Sequence, residues 1–114
     1  MVTRAYTPER GDVVWLDFTP QAGHEQAGRR PALVLSPKAY NGKTNLMLCC
    51  PVTSQVKGYP FEVPIVPVSG KVVGVALSDQ IRCLDWKSRK AAKFATATTA
   101  CLSAVGAKVK LLLP

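Results

Sequence analysis

The chain has 114 residues, 47% of them apolar, which suffices for one domain with a real core and argues against disorder. Fifteen Lys and Arg against seven Asp and Glu give a net charge of +8 and a pI near 9.7, a balance suited to a polyanionic partner such as nucleic acid. No apolar run approaches the roughly 20 residues of a membrane span, and the polar opening Met1 to Asp12 has no signal-peptide core, so a cytoplasmic location is expected.

Asp12-Val13-Val14-Trp15-Leu16-Asp17-Phe18, entered through Gly11 and left through Pro20, is a β-branched and aromatic run that predicts a first strand. Gly23 to Arg30 reads as a loop. Pro31 then restarts an extended segment, in which Ala32-Leu33-Val34-Leu35 is a continuous apolar strand ended by Ser36-Pro37. Asn41-Gly42 marks a turn before a strand from Leu46 to Cys50 that runs into Pro51-Val52-Thr53. Phe61 to Val66 contains Pro64, which cannot donate to a ladder, and belongs at an edge or a bulge. Val72 to Leu77, broken by Gly74, and Gln80 to Leu84 complete six short strands, whose close spacing implies a barrel-like antiparallel sheet. Thr98 or Thr99 then caps a helix with Leu102, Val105, Val109 and Leu112 on one face. Gly106 costs that helix roughly 1 kcal/mol against Ala, so it depends on packing against the sheet.

All seven carboxylates lie at or before Asp85, while Lys87, Arg89, Lys90, Lys93, Lys108 and Lys110 follow with no acid among them. This cationic quarter reads either as a solvated face or as part of an anion-binding surface. The cysteines at 49, 50, 83 and 101 lack a CxxC spacing, and Cys49 and Cys50 are strand neighbours that point to opposite faces, so they read as reduced small hydrophobes. With one histidine and no Cys pair at ligand spacing, no metal site or cofactor is expected.

Gly23-His24-Glu25-Gln26-Ala27-Gly28-Arg29-Arg30-Pro31 packs an imidazole, a carboxylate and two guanidiniums into nine residues. Spacing alone leaves two readings open. In one, Glu25 pairs with Arg29 or Arg30 at the surface, a contact worth roughly 0 to 1 kcal/mol. In the other, the cluster performs charge chemistry on a phosphate.

Taken with Arg10-Gly-Asp-Val-Val-Trp-Leu-Asp-Phe, Pro51-Val-Thr-Ser-Gln, Lys57-Gly-Tyr-Pro-Phe-Glu-Val and Val75-Ala-Leu-Ser-Asp-Gln-Ile-Arg, this loop closely resembles the MazF/PemK family, the toxins of type II toxin-antitoxin pairs. The match runs motif by motif from about Gly11 to Trp86. The resemblance implies a single toxin domain over residues 1–114, an SH3-like antiparallel barrel with a C-terminal helix, and a homodimer. It further implies a metal-independent endoribonuclease that cuts single-stranded RNA at a short sequence, silenced by a MazE-like antitoxin. By position, Arg30 and Thr53 correspond to the residues implicated in catalysis, and Glu25 to the family's functional glutamate. Position 29 departs from the pattern: Arg stands where a familiar member has His and others an apolar residue, which argues against an indispensable proton carrier there.

RNA carries its own nucleophile, the 2′-hydroxyl, so cleavage needs its proton removed, the phosphorane stabilised and the leaving oxygen protonated. Arg30 can hold two phosphate oxygens in its planar fork, Thr53 can donate its hydroxyl, and Glu25 can take the 2′-proton. His24, Gln26, Arg29, Lys57, Tyr59, Gln80 and Arg82 are the candidates for RNA binding, with Tyr59 placed to stack on an unpaired base and Asp79 able to hold Arg82. Trp15 and Trp86 are assigned to the core or a dimer interface. Two alternatives compete: a CcdB-like toxin that blocks a protein target such as DNA gyrase, and a plain SH3-like nucleic-acid-binding module. The Glu25, Arg30 and Thr53 set favours the nuclease, and a binding module gives no reason for a carboxylate beside the arginines.

Overall fold

The computed structural model describes residues 6–18 and 28–114. Among the described residues, seven strands and two helices follow one another as β1 (Asp12–Phe18), β2 (Gly28–Val34), α1 (Lys38–Thr44), β3 (Leu46–Thr53), β4 (Glu62–Pro64), β5 (Val75–Leu77), β6 (Arg82–Asp85), β7 (Ala92–Thr96) and α2 (Thr99–Lys110). All pairings are antiparallel, in the order β4-β5-β3-β2-β1-β7. Strand β3 is long enough to pair twice along one edge: Leu46 to Cys49 face Asp85 to Arg82 of β6, and Val52 and Thr53 face Ala76 and Val75 of β5. Past β4, Val68 N donates to Thr96 O at 2.7 Å, Thr98 N donates to Val66 O at 3.0 Å, and Pro67 bridges Ala97. The two ends of the sheet therefore meet through a short bridge, and the sheet curls into a partly open barrel.

Side-chain alternation explains why the central strands read as unbroken apolar runs: both of their faces are buried. Val13, Leu33, Cys50 and Val52 point into one core with Val63, Ile65, Ala76 and, from α2, Cys101 and Val105. Val14, Leu16, Phe18, Ala32, Val34, Met47 and Cys49 point into a second core, closed by Trp86 with Leu84 and Ala91 beside it. Cys49 and Cys50 thus divide between the two cores, and burial pushes both thiols up to about 12.

Four features differ from the sequence reading. The strand expected from Ala32 begins at Gly28, so Arg29, Arg30 and Pro31 are ladder residues opposite Asp17, Leu16 and Trp15. The turn expected at Asn41-Gly42 is helix α1, because the Asn41 side chain is fully buried and donates to the carbonyls of Pro8 (2.9 Å) and Ser36 (3.0 Å). Trp86 Nε1 donates to the Asn41 carbonyl at 2.9 Å, tying the same helix to the second core. Strand β7, Ala92-Lys93-Phe94-Ala95-Thr96, carries little β-propensity and exists through its bulged pairing with β1. Helix α2 is capped by Thr98, whose Oγ1 accepts from Cys101 N at 3.2 Å, and it ends at Lys110, short of Leu112. The expected edge position of the Pro64 segment is borne out, since β4 pairs with β5 alone.

Candidate active site

The candidate residues lie on the face of the second core, near the end of β1 and the start of β2. Arg30 pairs with Leu16 and so shares the face of Leu16, Phe18 and Ala32. Strands β2 and β3 pair as Val34↔Cys49, Leu33↔Cys50 and Ala32↔Pro51, and two residues beyond the last pair Arg30 and Thr53 keep by alternation the face of Ala32 and Pro51. Arg30 and Thr53 are both half-buried. Arg82 pairs with Cys49 on this face, and its guanidinium carbon lies 6.0 Å from the centroid of the Phe18 ring, a cation seated over an aromatic floor. Three residues separated widely in the sequence are thereby gathered at one rim. The charges of Arg82 and Arg89 favour the Cys49 thiolate, but burial dominates, so Cys49 remains an unreactive thiol beneath them.

Thr53 is held by its backbone. Gly74, at φ +148°, lies so close that a Cβ there would stand 2.5 Å from the Thr53 carbonyl oxygen, which only glycine permits. Thr53 Oγ1 accepts from Gln55 N at 3.1 Å, leaving the hydroxyl proton to donate elsewhere. Residues 54–61 then leave the site as a loop whose shape is set by Glu62: its carboxylate accepts from Lys57 N at 3.1 Å and Gly58 N at 2.9 Å. Lys57 and Tyr59 ride on that loop, with Tyr59 60% exposed, as stacking on a base requires. Gln80 is exposed in the turn between β5 and β6, where its backbone N–H donates to Leu77 O at 3.0 Å. Asp79, considered as a partner for Arg82, is exposed and forms no ion pair among the described residues.

Arg29 faces the other way. It pairs with Asp17 across the ladder and forms an ion pair with it at 2.8 Å, and the surface pairing envisaged with Glu25 lies outside the described residues. His24, Glu25 and Gln26 lie outside the described residues. The sequence reading did not single out Phe18 or Arg89. Phe18 reads as an ordinary core aromatic, and Arg89 as one of several cations in a run. Trp86 is buried, whereas Trp15 is 40% exposed and stacks on Phe94 with ring centroids 4.6 Å apart. No helix among the described residues is long and apolar enough to cross a membrane.

Comparison with known proteins agrees with this architecture. Over 114 residues the chain is 49% identical to the endoribonuclease toxin MazF of Escherichia coli K12, covering 99% of each. It is 41% identical over 93 residues to the endoribonuclease toxin ChpB of the same strain, covering 78% of this chain and 79% of that protein. Among solved structures, MazF in a MazE-MazF crystal structure from Deinococcus radiodurans superposes with a TM-score of 0.86 at 59% identity, covering 96% of this chain and 97% of that one. The family model described as PemK-like, MazF-like toxin of type II toxin-antitoxin system matches residues 9–113. The chain therefore belongs to the PemK-like, MazF-like toxin family of type II toxin-antitoxin systems.

Proposed function

We propose that this chain is a single-domain, cytoplasmic endoribonuclease toxin, silenced by a MazE-like antitoxin, that cuts single-stranded RNA at a short sequence. The observation that supports the reading is that Arg30, Thr53 and Arg82 share one face of the sheet. Relatives over the whole chain length are named endoribonuclease toxins, which favours cleavage over a gyrase-blocking role.

The chemistry uses the substrate's own 2′-hydroxyl. Arg30 holds the non-bridging oxygens of the scissile phosphate and stabilises the charge that grows on them in the transition state. Thr53 donates its hydroxyl proton to the same group, the oxygen being oriented by the bond it accepts from Gln55 N. Arg82 supplies a second positive charge, Glu25 is assigned the 2′-proton, and the leaving 5′-oxygen takes its proton from solvent water. A guanidinium stays charged at any working pH, so Arg30 acts through electrostatics and positioning. No metal enters the scheme. Lys57, Tyr59, Gln80, His24 and Gln26 are assigned to the RNA chain on either side of the cut.

Large apolar side chains left exposed, among them Trp15, Phe94, Leu111 and Leu113, support a homodimer, to be checked by sedimentation at micromolar concentration. The deciding experiment incubates the purified protein with a long single-stranded RNA in EDTA and maps the fragment ends. Discrete cuts at a recurring short sequence are expected, with 2′,3′-cyclic phosphate and 5′-hydroxyl termini. A substrate carrying 2′-deoxyribose at the cut should survive, and its cleavage at an unchanged rate would sink the mechanism.

A further inference from the structure

Arg29 and Arg30 are neighbours on β2 and face opposite sides of the sheet. On the Arg29 side, Nη1 donates to Asp17 Oδ1 at 2.8 Å and Nη2 donates to the Lys90 carbonyl oxygen at 2.5 Å. Asp17 is bound through its own backbone to the same connection between β6 and β7: its N–H donates to Arg89 O at 2.9 Å, and its carbonyl accepts from Arg89 Nη1 at 3.2 Å. One guanidinium thus ties together β1, β2 and residues 86–91 at a single corner.

Residues 86–91 need such a tie. They cross the second core between Asp85 and Ala92, anchored at one end by buried Trp86 and by the Asp85 carboxylate, which accepts from Ser88 N at 2.9 Å and Lys87 N at 3.0 Å. At the other end Lys90 has φ +56°, a left-handed conformation that a non-glycine residue keeps only where its surroundings hold it. The Arg29 bond to the Lys90 carbonyl is made at that residue. Between the two anchors sits Arg89, half-buried, whose Nη1 bond to the Asp17 carbonyl sets it one residue from Phe18, the ring over which Arg82 lies.

We propose that Arg29 is a positioning residue for RNA cleavage: with Asp17 it clamps the β6–β7 connection and so fixes Arg89 where it meets a backbone phosphate of RNA flanking the cut. The assignment rests on the ribonuclease reading above. The planar fork of arginine suits the task, since it satisfies a carboxylate and a carbonyl at once and lysine cannot reproduce that geometry.

The clamp and direct RNA binding by Arg29 give opposite signs for one substitution. If Arg29 were a free cation for RNA held back by Asp17, Asp17→Asn would release it, raise the net charge by one and tighten binding. If the pair is a clamp, Asp17→Asn loosens Arg89 and weakens binding in spite of the added charge. Steady-state cleavage of a short single-stranded RNA should show KM raised about five- to tenfold in Asp17→Asn, Arg29→Ala and Arg29→Lys, with kcat within about twofold, as loss of one phosphate contact predicts. Arg29→Ala should add nothing once Arg89→Ala is present. Hydrogen exchange of the Asp17 amide, which donates to Arg89 O, should quicken in Arg29→Ala and Arg29→Lys. Tighter or unchanged RNA binding by Asp17→Asn, additive Arg29 and Arg89 effects, or unchanged exchange at Asp17 would each overturn the clamp. Absence of cleavage by the unaltered protein, with exchange at Asp17 still quickened in Arg29→Ala, would instead strike the ribonuclease reading and leave the clamp standing.

Discussion

The two faces of the β1-β2-β3 sheet are both buried, but they are closed by different means. One lies under helix α2, with Cys101 and Val105 buried against Leu33, Cys50 and Val52. The other is closed by the β6–β7 connection, with Trp86 over Val34 and Met47, and it carries Arg30, Thr53 and Arg82 at its rim. A helix twelve residues long covers its face with a continuous apolar stripe and leaves little room for charge. A short connection covers less, so cations can stand at the margin of the core with apolar floors beneath them. The face that carries the candidate site is thus the one closed by a short connection and not by a helix.

Truncating a central side chain on each face tests this division most severely. Leu33→Ala and Leu16→Ala each remove a fully buried side chain and should cost about 2–5 kcal/mol in urea unfolding. They should part company in function. Leu33→Ala is expected to leave the specific activity of the folded protein near its original value, whereas Leu16→Ala, directly opposite Arg30, should lower it. Equal activity losses would erase the distinction between the faces.

Within the open face, Arg30→Ala and Thr53→Ala should each slow RNA cleavage at least about 100-fold, with circular dichroism unchanged, because each removes a transition-state contact from a site with few others. Arg29→Ala, on the opposite side of β2, should cost much less. A larger loss at Arg29 than at Arg30 would reverse the assignment within the pair.

Cys49 and Cys50 sample the two cores from adjacent positions. Their folded pKa values near 12 exceed the ordinary 9.0, so ionisation favours the unfolded chain: their contribution is fully present below pH 9 and is lost as pH rises from about 9 towards 12. Stability measured across that window should fall, and Cys49→Ala and Cys50→Ala should each flatten the fall. At pH 8 a thiol reagent should modify exposed Cys83 quickly and the buried pair only on unfolding.

The smallest effect is confined to the helix-covered face. Thr98→Ala removes the side-chain acceptor for Cys101 N and should cost about 1 kcal/mol in stability, with RNA cleavage by the folded protein unaltered. A change in KM there would show that the helix face takes part in substrate binding after all.

Strands β1 and β3 and helix α2 were legible in the sequence because their signals are local: β-branched runs bounded by Gly or Pro, and an apolar face behind a capping threonine. Helix α1 was not, since Asn41-Gly42 has turn chemistry and only the buried partners Pro8, Ser36 and Trp86 turn it into helix. Strand β7 was missed for a related reason, its pairing with β1 outweighing its own weak propensity. Of the candidate site, Arg30 and Thr53 were marked by motif. Phe18 beneath Arg82 and Asp17 beside Arg29 carry no signal of their own, as each looks like an ordinary strand residue until the register is known.

What the amino-acid sequence determined by itself was therefore composition and local order: a basic chain of short antiparallel strands ending in one helix, with an arginine pair ahead of Pro31. What only the tertiary structure decided was direction. Strand pairing sends Arg30 to one face and Arg29 to the other, puts Thr53 on the face of Arg30, and carries Arg82 onto Phe18. The physical reason is that alternation along a strand is local, but which face meets solvent depends on what the rest of the chain lays over it.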